Sequence, residues 1–294
     1  MKKFLTASAL ALSLFLVTLL PAGAQTLFQP EELHKQPPKV PAFAVFAGDT
    51  IRFDRQDFYE SMDRELISFT YMHSTTLLML KRAPRFFAQV EPVLKANGVP
   101  DDLKYLMVIE SNLDPTAVSS AKAAGLWQFT KATAQKYGLE VSDEVDERYH
   151  IEKETEAACR YLLEARSKYD DWFTVAASYN AGQAGISRRL ESQHQSSALE
   201  LWLPAETARY MFRIIAAKML FEHPESFGFH IIPSECYPYI PPRTSVTISE
   251  PVPDLADFAE EHGTNYNKLK KANLWLRDSK LTNKNHKSYT VLIP

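Results

Sequence analysis

The 294-residue chain has only two cysteines, Cys159 and Cys236, too few for a disulfide framework. Cys159 lies in the apolar run AACRYLL, where a small buried thiol is the economical reading, although an exported chain is free to join the pair. Glycine is also scarce, nine in all. The one glycine-rich feature, Ala181-Gly182-Gln183-Ala184-Gly185, lacks the lysine and the preceding strand of a phosphate-binding loop. No two of the eight histidines have metal-ligand spacing at short range, and HExxH is absent, so metal catalysis is disfavoured and no cofactor is called for. Nor is there a GxSxG elbow or a thiol-protease context around either cysteine. Basic charge is not in excess: the formal net charge is −3, with no dense basic patch interleaved with aromatics. That balance argues against nucleic acid as a partner.

Long apolar runs are missing too, except at the start. Lys2 and Lys3 precede an apolar stretch over 4–20, and Ala22-Gly23-Ala24 offers a small-residue cleavage site. Residues 1–24 therefore read as a signal peptide, whose removal leaves 31 basic against 36 acidic side chains. A 17-residue run is near the lower limit for spanning a bilayer, and no cysteine follows it to accept a lipid. The mature chain is expected to be exported to the periplasm or cell envelope without a stable transmembrane segment, leaving room for a peripheral envelope association. Residues 25–55 read as a leader and linker, polar and proline-rich as far as Pro41.

The stretch that organises the rest runs over 110–138. Leu103, Leu106, Met107 and Glu110 share one stripe of a helix, which delivers a carboxylate to a core or a cleft. Periodicity alone leaves open that Glu110 simply ends the helix in solvent. Before it, Phe58, Met62, Leu66 and Phe69, then Phe86, Phe87, Val90 and Leu94, mark a helical collar that Asn97-Gly98 breaks. After it, Ala158, Tyr161, Leu162 and Ala165 mark one helical face, and Trp172, Val175, Ala176 and Tyr179 another. Met211, Phe212, Ile215 and Met219 mark a third, entered through Pro204. No β-branched run interrupts this span, so a parallel-sheet nucleotide fold finds no support.

Beyond Phe227 the texture changes. Prolines at 233, 238, 241 and 242 define a linker over 226–244. Residues 245–294 then read as strand, helix, helix and strand, a unit small for a core of its own and free to lean on the main domain. What remains for chemistry is a carboxyl group in a partly apolar site, backed by Gln, Tyr and Asn. That combination suits acetal cleavage, in which the leaving oxygen must be protonated.

Four ordered blocks carry a family resemblance: Glu110-Ser111, the run AGLWQF over 124–129, SYNAG over 178–182, and LPAETARY over 203–210. With them the chain resembles the lytic murein transglycosylases of the soluble-lytic-transglycosylase type over roughly residues 56–220. The resemblance implies a mainly α fold: a lysozyme-like all-helical domain at 56–225 with a small α+β LysM-like module at 245–294. It implies Glu110 as the single acid/base, cleaving the bond between N-acetylmuramic acid and N-acetylglucosamine in peptidoglycan glycan strands and leaving a 1,6-anhydro end. Ser111, Gln128, Tyr179, Asn180 and Tyr210 are the implied substrate-binding residues, and no metal is implied. Trp127 reads equally as a sugar platform or a core aromatic. A hydrolytic muramidase, a two-carboxylate glycosidase and a non-catalytic peptidoglycan-binding scaffold are the alternatives. Two departures stand out: Lys122 where the family often has glycine, and Ser178 where it has alanine. Lys122 is expected to sit uneasily in a left-handed turn. In the C-terminal unit, Trp275-Leu276-Arg277 looks like an insertion into the LysM-like pattern.

Overall fold

The helix that carries Glu110 is buried on nearly every side. Lys104–Ser111 packs Tyr105, Leu106, Met107, Val108 and Ile109 into the core, and even Lys104 is buried, its ammonium held by Glu91 and by Asp101. A short helix this enclosed has no solvent face on which to place a polar residue cheaply. It ends at Asn112, which takes a left-handed conformation (φ 51°).

The chain is described by a computed structural model that covers residues 36–284 and 286–294, all within one compact unit. The expected signal peptide and the first part of the leader lie outside the described residues. In chain order the elements are β1 (Phe43–Phe46), β2 (Asp49–Arg52), α1 (Gln56–Tyr71), α2 (His73–Ala96), α3 (Lys104–Ser111), α4 (Lys131–Lys136) and α5 (Ile151–Arg166). There follow α6 (Trp172–Ala181), α7 (Gln183–Ser192), α8 (Ala205–Glu222), β3 (Thr244–Ile248), α9 (Leu255–Glu261), α10 (Tyr266–Ala272) and β4 (Tyr289–Ile293). The fold is mainly α, as the sequence implies. α3 sits between α2 and α8, α8 also packs on α1 and α6, and α5 lies against α2 and α6. Side-chain caps set several starts: Thr130, Asp171, Asp254 and Asn265 each accept from a backbone N–H in the first turn that follows.

Part of the stretch read as leader and linker folds instead. Residues 43–52 form an antiparallel hairpin in which Phe46 pairs with Asp49 around Ala47 and Gly48, both at positive φ. That is the geometry of a two-residue hairpin turn, but Ala-Gly is a weaker signal for it than Asn-Gly. The left-handed Ala47 is held from a distance, its N–H donating to Asp102 Oδ2 at 2.8 Å. Phe46, Ile51 and Phe53 enter the main core, and Asp49 accepts from the Trp172 backbone N–H at 2.5 Å, tying the hairpin to the start of α6. The proline-rich stretch at 226–244 is also held down. Phe227 and Phe229 are buried, and the Tyr237 N–H donates to the Lys81 carbonyl of α2 at 2.7 Å.

The last 51 residues form a second, smaller core. β3 and β4 pair antiparallel with Val246 opposite Val291, and β4 buries Tyr289, Val291 and Ile293 at alternate positions. Val252, Leu255, Phe258 and Leu269 complete most of it, but Ala124, Val145 and Tyr149 from the main domain belong to the same apolar cluster. The seam carries backbone bonds as well: Asp146 N–H donates to the Trp275 carbonyl at 2.9 Å, and Arg277 N–H to the Glu144 carbonyl at 2.8 Å.

Both cysteines are free thiols; Cys159 is fully buried, and burial pushes its pKa up to about 12. A thiol reagent applied to the native protein should therefore modify Cys236 alone, and both cysteines after unfolding. Mass spectrometry before and after denaturant reads this directly, and a native protein that takes up no label until reduced would mean the two are joined.

Candidate active site

One large open cleft, of about 1050 Å³, is lined by residues from α3, the turn after it, α6, the start of α7 and the first half of α8. Glu110 lines it near the C-terminal end of α3. The carboxyl is crowded by protein while remaining reachable from the cleft. Burial raises its pKa to about 7, against the pull of the Tyr210 hydrogen bond and the Arg213 charge and with a push from Glu206. The Tyr210 hydroxyl donates to Glu110 Oε1 at 2.5 Å. Burial, and then the neighbouring Glu110 charge, hold the Tyr210 pKa well above that of a free phenol, so it remains a donor. One carboxyl oxygen is thus occupied, and the other is left for a proton.

Tyr179 and Asn180 come from the end of α6. The Tyr179 hydroxyl donates to the Trp127 carbonyl at 2.8 Å, which ties α6 to the turn at 124–129. Asn180 accepts from Thr207 Oγ1 at 2.8 Å, leaving its amide N–H groups as donors at the cleft. Gln128, at φ 51°, donates from Nε2 to the carbonyls of Gly125 (2.8 Å) and Ala117 (3.0 Å). Its nitrogen is committed to closing the turn, so only its carbonyl oxygen is available to a ligand. Four of the sequence-derived binding residues, Gln128, Tyr179, Asn180 and Tyr210, thus meet Glu110 around the cleft.

Ser111 is placed differently. It is buried, is not among the cleft-lining residues, and donates to the Met107 carbonyl one turn back at 3.0 Å. Trp127 is a core residue, fully buried, with its indole N–H donating to Thr155 Oγ1 at 3.0 Å. Asp114 also stays out of the cleft lining. It accepts from the backbone N–H and the hydroxyl of Thr116 and lies 3.8 Å from Arg82. Burial opposes its ionisation, but the Thr116 bonds and Arg82 outweigh that and lower its pKa. Lys122 does adopt a left-handed conformation (φ 58°), its carbonyl held by Arg148 Nη1 at 2.9 Å.

Three contributors escaped the sequence reading. Glu154 of α5 is fully buried, and its Oε2 accepts from the Trp127 backbone N–H at 3.2 Å. Burial raises its pKa well above the ordinary value, against the bonds from Trp127 and Leu126. A signal existed: the stripe of Ala158, Tyr161, Leu162 and Ala165, carried back one turn, lands on Glu154. Arg213 and Glu206 flank Glu110 from α8, and only the fold shows that they do. Among the described residues no group of three or more His, Cys, Asp or Glu side chains is placed to hold a metal ion.

Residues 91–201 match the transglycosylase SLT domain, and residues 244–294 match the soluble lytic transglycosylase C-terminal LysM-like domain. The SLT match spans Glu110, the 124–129 turn and the end of α6, and stops just before α8. "Membrane-bound lytic murein transglycosylase D" of Escherichia coli K12 is 26% identical over 245 residues, 81% of this chain and 52% of the relative. The chain therefore spans about half the length of that curated relative. "Peptidoglycan transglycosylase gp16" of Escherichia phage T7 is 41% identical over 94 residues, 31% of this chain and 7% of the phage protein. A solved structure of an inactive mutant of lytic transglycosylase Slt from Pseudomonas aeruginosa matches with a TM-score of 0.39 at 18% identity, covering 52% of this chain and 26% of that one.

Gly125 has no room for a side chain. Its φ is +83°, and a Cβ there would stand 1.8 Å from the Arg148 carbonyl oxygen and 2.5 Å from Glu154 Oε2. Gly98 has a similar φ of +70° but meets nothing within 4 Å. Gly98→Ala should cost only the left-handed backbone penalty, about 1–2 kcal/mol, whereas Gly125→Ala must also displace backbone and should cost clearly more. Urea denaturation of the two variants makes the comparison; equal losses would remove the close approach argued here.

Proposed function

We propose that the protein is a lytic transglycosylase that cleaves the β-1,4 bond between N-acetylmuramic acid and N-acetylglucosamine in peptidoglycan, forming 1,6-anhydro-N-acetylmuramic acid ends. The observation that carries the reading is Glu110: a carboxyl with a pKa of about 7, held by Tyr210 at the wall of a large open cleft. The protonated carboxyl delivers its proton to the glycosidic oxygen as the bond breaks. The carboxylate that results then takes the proton of the muramoyl C6 hydroxyl as that oxygen closes on C1, and Glu110 is left protonated again. The proton count balances without water. Asn180 N–H groups and Gln128 Oε1 supply the complementary donor and acceptor that an acetamido group requires, and Tyr179 keeps the turn that carries Gln128 against α6.

One observation favours a second reading. Glu206, exposed in the first turn of α8, also lines the cleft, and a two-carboxylate glycosidase acting by hydrolysis would use it to activate water or attack C1. The products decide: anhydro ends support the transglycosylase, reducing muramic acid ends the hydrolase. The site of action proposed is the cell envelope, on the strength of the N-terminal apolar run and the relatives' names. No helix among the described residues is long and apolar enough to cross a membrane.

Glu110→Gln keeps volume and hydrogen-bonding reach but cannot pass a proton, so turnover should fall by about 10²–10⁴-fold or more. Glu206→Gln and Asp114→Asn should keep most of theirs. Single-turnover assays on purified sacculi with mass analysis of the products make the test, and an active Glu110→Gln beside a dead Glu206→Gln would reverse the assignment.

The pH dependence has a definite sign. Cleavage should decline as pH rises through about 7, where Glu110 loses its proton. The folded state also binds this proton more tightly than the unfolded chain, so its contribution to stability falls from about pH 4.5 to about pH 7 and then levels off. Glu110→Gln should accordingly melt higher than wild type at pH 8 and lose that advantage near pH 4. Calorimetry at the two pH values checks this, and a variant less stable at both would contradict the buried-carboxyl account.

A further inference from the structure

Trp275-Leu276-Arg277, which looks like an insertion in the LysM-like pattern, is the part of that unit that meets the main domain. The Trp275 side chain is buried, stacks on Tyr289 with ring centroids 5.6 Å apart, and lies 6.0 Å from the His150 ring at the start of α5. Leu276 pairs with Val145 in a short antiparallel bridge. On either side of it the Trp275 carbonyl accepts from Asp146 N–H and the Arg277 N–H donates to the Glu144 carbonyl. The Arg277 guanidinium covers the Tyr149 ring at 4.2 Å.

The segment gripped in this way leads straight to the cleft. Asp146 holds Arg148 with both carboxylate oxygens, at 2.9 Å from Nε and 2.7 Å from Nη2. Arg148 Nη1 then donates to the Lys122 carbonyl (2.9 Å) and the Phe129 carbonyl (3.2 Å), the two ends of the turn that presents Gln128. The Arg148 carbonyl is the atom against which Gly125 fits without a side chain. Ala124, in the middle of the turn, lies in the apolar cluster of the C-terminal unit itself. A module joined only to capture glycan has no need of such a chain of contacts, and a flexible tether would forbid it.

We propose that Trp275, Leu276 and Arg277 are positioning residues: they brace residues 144–150, and through Asp146 and Arg148 they fix the shape of the 117–129 turn. The LysM-like unit thereby completes the cleft, independently of any glycan it holds. Turnover enters the argument only through the transglycosylase reading; the brace itself does not depend on that reading.

The test uses the full chain with Trp275→Ala, Trp275→Phe and Arg277→Ala. Backbone hydrogen exchange over 117–129 is measured alongside kcat and KM on a soluble muramic acid-containing tetrasaccharide, so that polymer retention plays no part. Trp275→Ala should speed exchange in the turn while α2 and α8 keep their protection, and should lower kcat by about tenfold or more with KM little changed. Trp275→Phe should restore most of both. Arg277→Ala, which removes only an exposed side chain, should move both readouts the same way by less, and it decides the matter if Trp275→Ala unfolds. Unchanged exchange over 117–129 in Arg277→Ala and in any folded Trp275→Ala would overturn the brace. A wild-type protein that leaves the tetrasaccharide intact would count against the transglycosylase reading, and the exchange result would still decide the brace.

Discussion

Withdrawing water from one carboxyl is the constraint around which the half of the molecule that lines the cleft is arranged. Glu110 ends a helix so enclosed that its side chain has only the cleft to face, and burial there favours the neutral acid over the ion. A single donor, Tyr210, compensates one oxygen without supplying enough charge to keep the group ionised. The balance depends on where α8 lies. Arg209 of α8 is clamped to the buried Glu65 of α1 at 2.7 Å, and Thr207 is bonded to Asn180 of α6. Acidity at Glu110 is therefore a property of the packing among α1, α3, α6 and α8 rather than of any residue alone.

Facing that rigid wall is a turn with almost no regular structure. Its shape comes from side chains behind it: Glu154 from α5, Arg148 from the segment before α5, and the Gln128 amide folded back on its own carbonyls. Gly125 is what allows these supports to approach so closely. Local propensity contributes little here, since Lys122 and Gln128 both sit at positive φ, where neither is at home. Tertiary contacts hold the backbone in place, as is common where a binding surface needs a shape the sequence would not adopt unaided.

These two walls differ in how plainly the sequence announces them. The α3 stripe and the faces of α5, α6 and α8 follow from spacings of three and four residues, which the fold preserves because each helix buries one stripe; the same spacing put Glu110 in line with the α3 stripe but left its exposure open. Tyr179, Asn180 and Tyr210 were legible only through family blocks; that they converge on the cleft depends on contacts across as many as 100 residues. The hairpin at 43–52 was hidden because its turn lacks the usual residues and is secured by Asp102 and Trp172, far along the chain. For Ser111 the sequence left two readings, a hold on the carboxyl or a helix-terminal hydrogen bond, and the structure has the second. A hydroxyl beside a key carboxyl invites a functional reading, yet at the end of a buried helix its nearest acceptor is its own backbone.

The sequence distances in these contacts bear on when the protein becomes chemically competent. Tyr210 reaches Glu110 across 100 residues, Arg209 reaches Glu65 across 144, and Trp172 reaches Asp49 across 123. Such closures raise contact order and come late in folding, after most of the chain is available. Until they form, Glu110 is a solvated side chain with the ordinary pKa of 4.5, ionised at neutral pH and unable to donate a proton. A chain that has not yet folded thus carries this carboxyl in a disarmed state. Folding itself, rather than any later event, brings the group to its raised pKa.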